Sequence, residues 1–229
     1  MVTGIAMTGG LYSNKSKLNL LDSTPIAKIL REYDGIVVPA SSKYRTLKQL
    51  LDDLVAKPNS VSIAGGSKGG IDHQVIGLLA QKASIDPTKL NYVVFSGGPE
   101  VITSLLSNST QVGISGALDF APYVASGKLR YLGISSAKPL AGIKAKTFVS
   151  QGYDLVYGNW RGIMAPADLS AADRTNFIKV IDIMHASPAW AAQLKKNSWD
   201  NEFVAGNAFK TFLEKHIPEI NGVMKGLGI

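Results

Sequence analysis

Three short apolar runs in the first half of the chain each end in a cluster of glycine and serine, and each cluster opens a stretch of helical periodicity. Ser60–Ala64 leads into Gly65-Gly-Ser-Lys-Gly-Gly70, Asn91–Phe95 into Ser96-Gly-Gly98, and Gln111–Ile114 into Ser115-Gly116. Strand, loop and helix in repeated alternation predict a parallel, doubly wound α/β sheet, because parallel strands need a crossover, and helical crossovers cover the sheet faces.

Local signals mark the boundaries. Ile36–Pro39 reads as a further strand. Thr46-Leu-Lys-Gln49 is a capping box, and behind it Leu47, Leu50, Leu51, Leu54 and Val55 fall on one helical face until Pro58-Asn59. A second helix is expected from about Ile71 to Ala83, with Ile71, Val75, Leu78 and Leu79 inward. Pro99 sits at the first position of a third, which runs to Leu106. Residues 118–126 form a short helix stopped by Gly127, before a strand over Leu129–Ile134. Then the alternation lapses. Residues 138–152 read as loop with a short helical piece, and Tyr153–Tyr157 and Arg161–Met164 as strands around Gly158-Asn-Trp160. Helices over Leu169–Ala186, Pro188–Asn197 and Ala208–Leu227 form a separate layer.

In a parallel sheet the three Gly/Ser loops share one edge, where ligands bind. Each opens a helix N-terminus with free N–H groups and partial positive charge. Glycine lets the backbone approach a ligand, and that chemistry suits a carboxylate or phosphate. The alternative is that the glycines merely make tight turns. Lys68 follows Ser67 rather than Gly, so there is no phosphate-binding GxxxxGK[ST] loop, and the GxGxxG spacing is absent. Gly65-Gly66-Ser67-Lys68-Gly69 does match G-x-S-x-G between strand and helix, with His185, His216, Asp119, Asp154 and Asp173 downstream. A serine hydrolase using Ser67 is therefore the alternative of a different class, although no HGGG-like segment precedes it. His73, in the first turn of its helix, is either a donor to an anion or an ordinary helix-start side chain. Trp160 beside Arg161 offers an aromatic wall and a bidentate carboxylate binder, or else a packing residue and a surface ion pair. His185 and His216 have no partner at ligand spacing, so neither a metal nor a cofactor is expected.

Composition narrows the classes further. None of the 229 residues is cysteine, which excludes thiolate zinc sites, iron–sulfur clusters, disulfide scaffolds and a cysteine nucleophile. At 45% hydrophobic and 18% charged the chain can bury a core, unlike a disordered one. The net charge of +7 is scattered, Lys195-Lys196 being its sole adjacent pair, so it fits a basic solvated surface or an anionic ligand better than nucleic acid. The longest uncharged stretch, 101–118, is broken by polar residues and reads as no transmembrane helix. The opening MVTGIAMTGG lacks the basic and apolar regions of a signal peptide.

Several short motifs occur in a telling order: Tyr12-Ser-Asn-Lys-Ser16, Thr24-Pro-Ile-Ala27, Ala64-Gly-Gly-Ser67 with Asp72-His73, Tyr92-Val-Val-Phe-Ser-Gly-Gly98, Gly113-Ile-Ser-Gly116, Ser126-Gly-Lys-Leu-Arg130, and Gly158-Asn-Trp-Arg-Gly162 with Ala165-Pro166. Taken jointly, over nearly the whole chain, they resemble the substrate-binding proteins of tripartite tricarboxylate transporters, the Bug family of periplasmic solute receptors. The GISG and NWRG forms are most similar to the tricarboxylate-binding branch. The resemblance implies a two-lobe type II periplasmic-binding-protein fold with doubly wound sheets. Lobe one would be residues 1–37 and 161–229, and lobe two residues 38–160. It implies a non-enzymatic receptor that binds a small, citrate-like di- or tricarboxylate between the lobes and delivers it to the transporter's membrane components in the periplasm.

Residue chemistry and resemblance together nominate Gly66, Ser67, Lys68, His73, Ser96, Gly97, Ser115, Gly116, Trp160 and Arg161 as ligand-binding. Two departures matter. Met1 aligns inside the family's first lobe, so the signal peptide, first strand, Gly-rich first loop and its helix are expected to be missing. The first lobe would then be incomplete, self-association favoured, and a non-functional remnant a third reading. Gln111 also stands where family members usually carry Asp.

Overall fold

A computed structural model describes every residue from Met1 to Ile229. In chain order the elements are β1 (Val2–Gly4), α1 (Ile5–Ser13), β2 (Thr24–Pro39), α2 (Leu47–Ala56), β3 (Ser62–Gly65), α3 (Ile71–Lys82), β4 (Asn91–Val94), α4 (Gly98–Leu106), β5 (Val112–Gly116) and α5 (Ala121–Ala125). They continue through β6 (Leu129–Ile134), β7 (Gly158–Ala165), α6 (Ala171–His185), α7 (Pro188–Lys196), β8 (Asp200–Ala205) and α8 (Gly206–Gly226). The α/β class expected from the sequence is the one observed. The chain divides into two compact units, Met1–Glu32 with Asn159–Met224, and Tyr33–Gly158 with Lys225–Ile229.

The second unit carries the Gly/Ser loops. Its strands lie in the order β6–β2–β5–β3–β4. β3 is parallel to both β4 and β5, as alternation with helices requires. β2 runs antiparallel to β5 and β6, so the expected all-parallel sheet is in fact mixed. The reason is that β2 enters this unit as the continuation of a strand begun in the other, not as the product of a helical crossover. That pairing also corrects one loop. Ser115 and Gly116 are the last residues of β5, held opposite Gly35 and Asp34.

The helices of this unit form where the pattern places them. At α2 the Gln49 N–H donates to Thr46 Oγ1 at 3.3 Å, and Gln49 Oε1 accepts the amides of Thr46 at 3.3 Å and Arg45 at 2.6 Å. Leu47, Leu50, Leu51 and Leu54 are buried, each contributing on the order of 1.5–3 kcal/mol. Val55, expected on the same face, is turned to solvent, because it lies one residue past the buried stripe. α3 buries nearly its whole circumference, including Val75, Ile76, Leu79 and Gln74. Leu227 seats on Gly77, where a Cβ would overlap its methyl groups. The last five residues, grouped with lobe one in the sequence reading, thereby cluster with this unit.

The first unit has its own sheet, in which β7 lies between β1 and β2, and β8 pairs with β2. Thr3 lies opposite Gly162, and Ala27 opposite Ala205. The strand expected over Tyr153–Tyr157 is irregular, and pairing begins at Gly158. Trp160 fills the core, meeting Phe209 and Phe212 edge-on at 5.8 and 5.5 Å between centroids. No helix is long and apolar enough to cross a membrane.

Candidate functional site

The carboxyl ends of β3, β4 and β5 lie along one edge of the second unit, so the segments that follow them are neighbours. The loop 65–70 is braced from within. Gly66 N–H donates to Asp72 Oδ2 at 2.7 Å, and Gly66 C=O accepts the Tyr92 hydroxyl at 2.8 Å. Gly69 N–H donates to His73 Nδ1 at 3.2 Å. Gly69 C=O accepts the Gln74 amide at 2.8 Å, and Gln74 Oε1 accepts the Tyr157 hydroxyl at 2.5 Å. Gly70 N–H closes a turn on Ser67 C=O at 2.8 Å. The donors left over are the amides of Ser67 and Lys68, the Ser67 hydroxyl and the Lys68 ammonium, all on exposed residues.

His73 is fixed on two sides. Its ring stacks on Tyr92 at 4.1 Å and 10°. Because Nδ1 accepts from Gly69, the ring proton belongs on Nε2. Burial, reinforced by the Lys68 charge, pulls its pKa down to about 4, so at neutral pH it can offer an anion a neutral N–H but no charge. A cavity of about 320 Å³ opens beside it, bordered by Lys68, Thr88, Tyr92 and Leu227 among others.

The next two segments meet each other. Ser96 N–H is taken by Glu100 Oε2 at 2.9 Å, which leaves the Gly97 and Gly98 amides and the Ser96 hydroxyl. A Cβ on Gly98 would lie 2.8 Å from Asp119 Oδ2 and 3.2 Å from Ser115 Oγ, and one on Gly116 would lie 3.0 Å from the same carboxylate. A side chain at either position would crowd the Asp119 carboxylate, which settles between the start of α4 and the end of β5. Ser115 itself is buried. Of the three anion-suited loops, the first two keep free backbone donors, while the third is committed to sheet pairing.

Trp160 and Arg161 belong to the first unit. Trp160 has no exposed surface, so it packs the core rather than walling a site. Arg161 places both Nε and Nη2 on Glu32 Oε1, at 2.8 and 2.6 Å, and the same oxygen accepts Asn159 Nδ2 at 2.8 Å. Its fork is thus engaged with an internal carboxylate. Ser67 gains no base from His73, whose Nδ1 is taken, and the other two histidines, His185 and His216, lie in the first unit. No group of three or more His, Asp or Glu side chains is placed to hold a metal ion.

The sequence pattern of the tripartite tricarboxylate transporter family receptor matches residues 7–228. The chain belongs to this receptor family. A UPF0065 protein from a tcbD–tcbE intergenic region of Pseudomonas sp. (strain P51) is 23% identical over 169 residues, 72% of this chain and 49% of that protein. The chain thus spans about half the length of the curated relatives it matches. The periplasmic binding protein BugD superposes with a TM-score of 0.84 at 17% identity, covering 100% of this chain and 77% of BugD. MatC of Rhodopseudomonas palustris, solved with bound malate, gives 0.81 at 15% identity, over 97% of this chain and 78% of that one. At such identities the likeness establishes the fold, that of periplasmic solute-binding proteins.

What sequence reasoning missed in this family member is its acids. Asp34 and Asp72 are both buried, and Asp72 Oδ2 accepts the Gly66 N–H at 2.7 Å. Burial pushes the Asp72 carboxyl well above the ordinary carboxylate range. The Asp119 charge adds to the rise, and the hydrogen bond from Gly66 opposes it. The available signal was Asp72 itself, an acid in the first turn of a helix behind a glycine loop, where it accepts from a backbone amide.

Proposed function

We propose that this protein binds small di- or tricarboxylates, citrate and malate being the first to test, without transforming them, and that it delivers them in the periplasm to the membrane components of a tripartite tricarboxylate transporter. In this reading the two compact units are the receptor's lobes. The observation that carries the reading is the set of uncommitted donors on one sheet edge: the Ser67 and Lys68 amides, the Ser67 hydroxyl, the Lys68 ammonium, and the Gly97 and Gly98 amides. They suit two carboxylate groups of one ligand, one met by the loop ahead of α3 and the other by the backbone N–H groups that open α4. Malate bound to a structural neighbour of the same fold supports the class. Catalysis finds no support, because no histidine or carboxylate is hydrogen-bonded to the Ser67 hydroxyl.

Isothermal calorimetry with malate, citrate and a monocarboxylate tests this. Binding of the polycarboxylates with a raised melting temperature is expected, and Lys68→Ala should weaken it by up to about fivefold, the worth of one exposed charge. Hydrolysis of an aryl ester that disappears in Ser67→Ala would replace the receptor by the hydrolase.

A further inference from the structure

Two anchored glycines bracket the free donors of the loop 65–70. Gly66 donates its N–H to Asp72 Oδ2 at 2.7 Å and accepts the Tyr92 hydroxyl on its C=O at 2.8 Å. Gly69 accepts the Gln74 amide on its C=O at 2.8 Å and donates its N–H to His73 Nδ1 at 3.2 Å. Ser67 and Lys68, between them, are exposed, while Gly69 is buried. The group that holds the Gly69 N–H can exchange its role, because an imidazole Nδ1 accepts in one neutral tautomer and donates in the other.

The turn itself has two forms. Gly70 N–H closes on Ser67 C=O at 2.8 Å, so Lys68 and Gly69 are the central residues of a β-turn. Gly69 has φ +76° and the φ of Lys68 is not positive, which makes the turn type II. In that form the peptide between them aims the Lys68 C=O the way the Lys68 N–H points, and the Gly69 N–H the opposite way, to His73. Rotating this one peptide by about 180° gives a type I turn with the same closing bond. Its central residues lie near the αR region, where successive N–H groups run parallel as they do at a helix start. The Gly69 N–H then stands beside the Lys68 N–H, and the Lys68 C=O faces His73. The Gln74 bond to Gly69 C=O belongs to the next peptide and is kept.

We propose that the Gly69 N–H is a further ligand donor of this loop, masked by His73 in the form observed and released when a carboxylate flips the Lys68–Gly69 peptide, with His73 the positioning residue for both forms. The proposal rests on reading the loop as carboxylate-binding. A carboxylate on the Lys68 N–H meets the Lys68 carbonyl oxygen in the type II form, and the two repel. In the type I form it meets a second donor, and its two oxygens take one N–H each. His73 serves either form without a change of charge: bare Nδ1 accepts the Gly69 N–H, and Nδ1–H donates to the Lys68 C=O. Burial keeps the ring neutral at neutral pH, so the exchange is one of tautomers. Stacking on Tyr92 at 4.1 Å fixes the plane in which both bonds form.

NMR of the wild-type protein, nitrogen-labelled at histidine and glycine, tests this. Without ligand, His73 should be the Nε2–H tautomer with Nδ1 bonded to the Gly69 amide. Saturation with malate should convert it to the Nδ1–H tautomer. Gly69→Ala is the second arm. Alanine disfavours left-handed backbone by about five- to thirtyfold in population and is at ease in a type I turn. The variant should therefore bind malate more tightly than wild type, by up to that factor, and show the Nδ1–H tautomer before ligand is added. Malate binding that leaves Nδ1 of His73 bonded to Gly69 would overturn the proposal while the receptor reading stands, and so would weaker binding by a folded Gly69→Ala. If Gly69→Ala does not fold, the wild-type tautomer decides alone. A protein that binds neither malate nor citrate would overturn the receptor reading and the proposal with it.

Discussion

Gly65 is the position where one methyl group should do the most damage to the candidate site. A Cβ there would land on the Tyr92 hydroxyl and lie 2.8 Å from two of its ring carbons. Tyr92 has nowhere easy to go, since its ring stacks on His73 at 4.1 Å and its hydroxyl is tied to Gly66 C=O at 2.8 Å. In Gly65→Ala the ring must leave. Overpacking costs about 1–3 kcal/mol, the lost hydrogen bond about 0.5–1.5, and the lost stack about 0.5–1.5. The sum, about 2–6 kcal/mol, corresponds to a melting temperature lower by roughly 4–24 °C in a chain of this size. Calorimetric melting of wild type, Gly65→Ala, Tyr92→Leu and the double variant completes a cycle. Leucine ends short of the clash, so adding Gly65→Ala to Tyr92→Leu should cost less than about 1 kcal/mol. If the alanine costs as much in the Tyr92→Leu background as in the wild type, the clash is not the cause and the reasoning fails.

Other perturbations separate the remaining interactions. Glu32→Ala removes the acceptor shared by Asn159 and Arg161, and should cost about 1–2 kcal/mol in urea unfolding, whereas Arg161→Ala, at a half-exposed position, should cost less than about 1. Thr46→Ala should lose about 1 kcal/mol through the cap of α2, read by the same assay. The His73 pKa is depressed to about 4, so the stability tied to its neutral ring is complete above the ordinary value near 6.5 and is lost as pH falls toward 4. His73→Gln should flatten this acid-side loss by up to about 1 kcal/mol per pH unit in melts at stepped pH. The raised Asp72 works in the opposite sense. Its contribution is complete below the ordinary aspartate value and declines as pH rises through about 6, so Asp72→Asn should flatten the neutral side of the same profile.

The parts of this structure legible in the sequence are those fixed by near neighbours in the chain. The capping box at Thr46–Gln49 and the leucine stripe behind it need only four to eight residues of context, and both form. The glycine loops were legible as turns for the same reason. β2 was seen only at its end, Ile36–Pro39, because Lys28, Arg31, Glu32 and Asp34 break any apolar pattern over the rest of it. Those charges find partners far along the chain, Lys28 with Glu202 at 2.9 Å and Glu32 with Arg161, which no local window contains. β8 was missed for the complementary reason: it includes Glu202, the partner that lets Lys28 be buried. The site divides along the same line. Ser67, Lys68 and Gly97 announce themselves by residue type and place. That Trp160 would be core and that Arg161 would turn to Glu32 are facts of distant contact.

The way the chain divides between its units sets an order of assembly. The second unit is one uninterrupted run from Tyr33 to Gly158, closed afterwards by only five terminal residues. The sheet of the first unit joins Val2 to Ile163 and Ala27 to Ala205, so it cannot close until most of the polypeptide has been made. During synthesis the inserted unit, with its glycine loops, can condense while the opening segment still waits for its strand partners. Val2 and Ala27, ready first, are thus among the last residues to be paired, and a pulse of hydrogen exchange during refolding would find their amides protected after those of Ile63 and Val93.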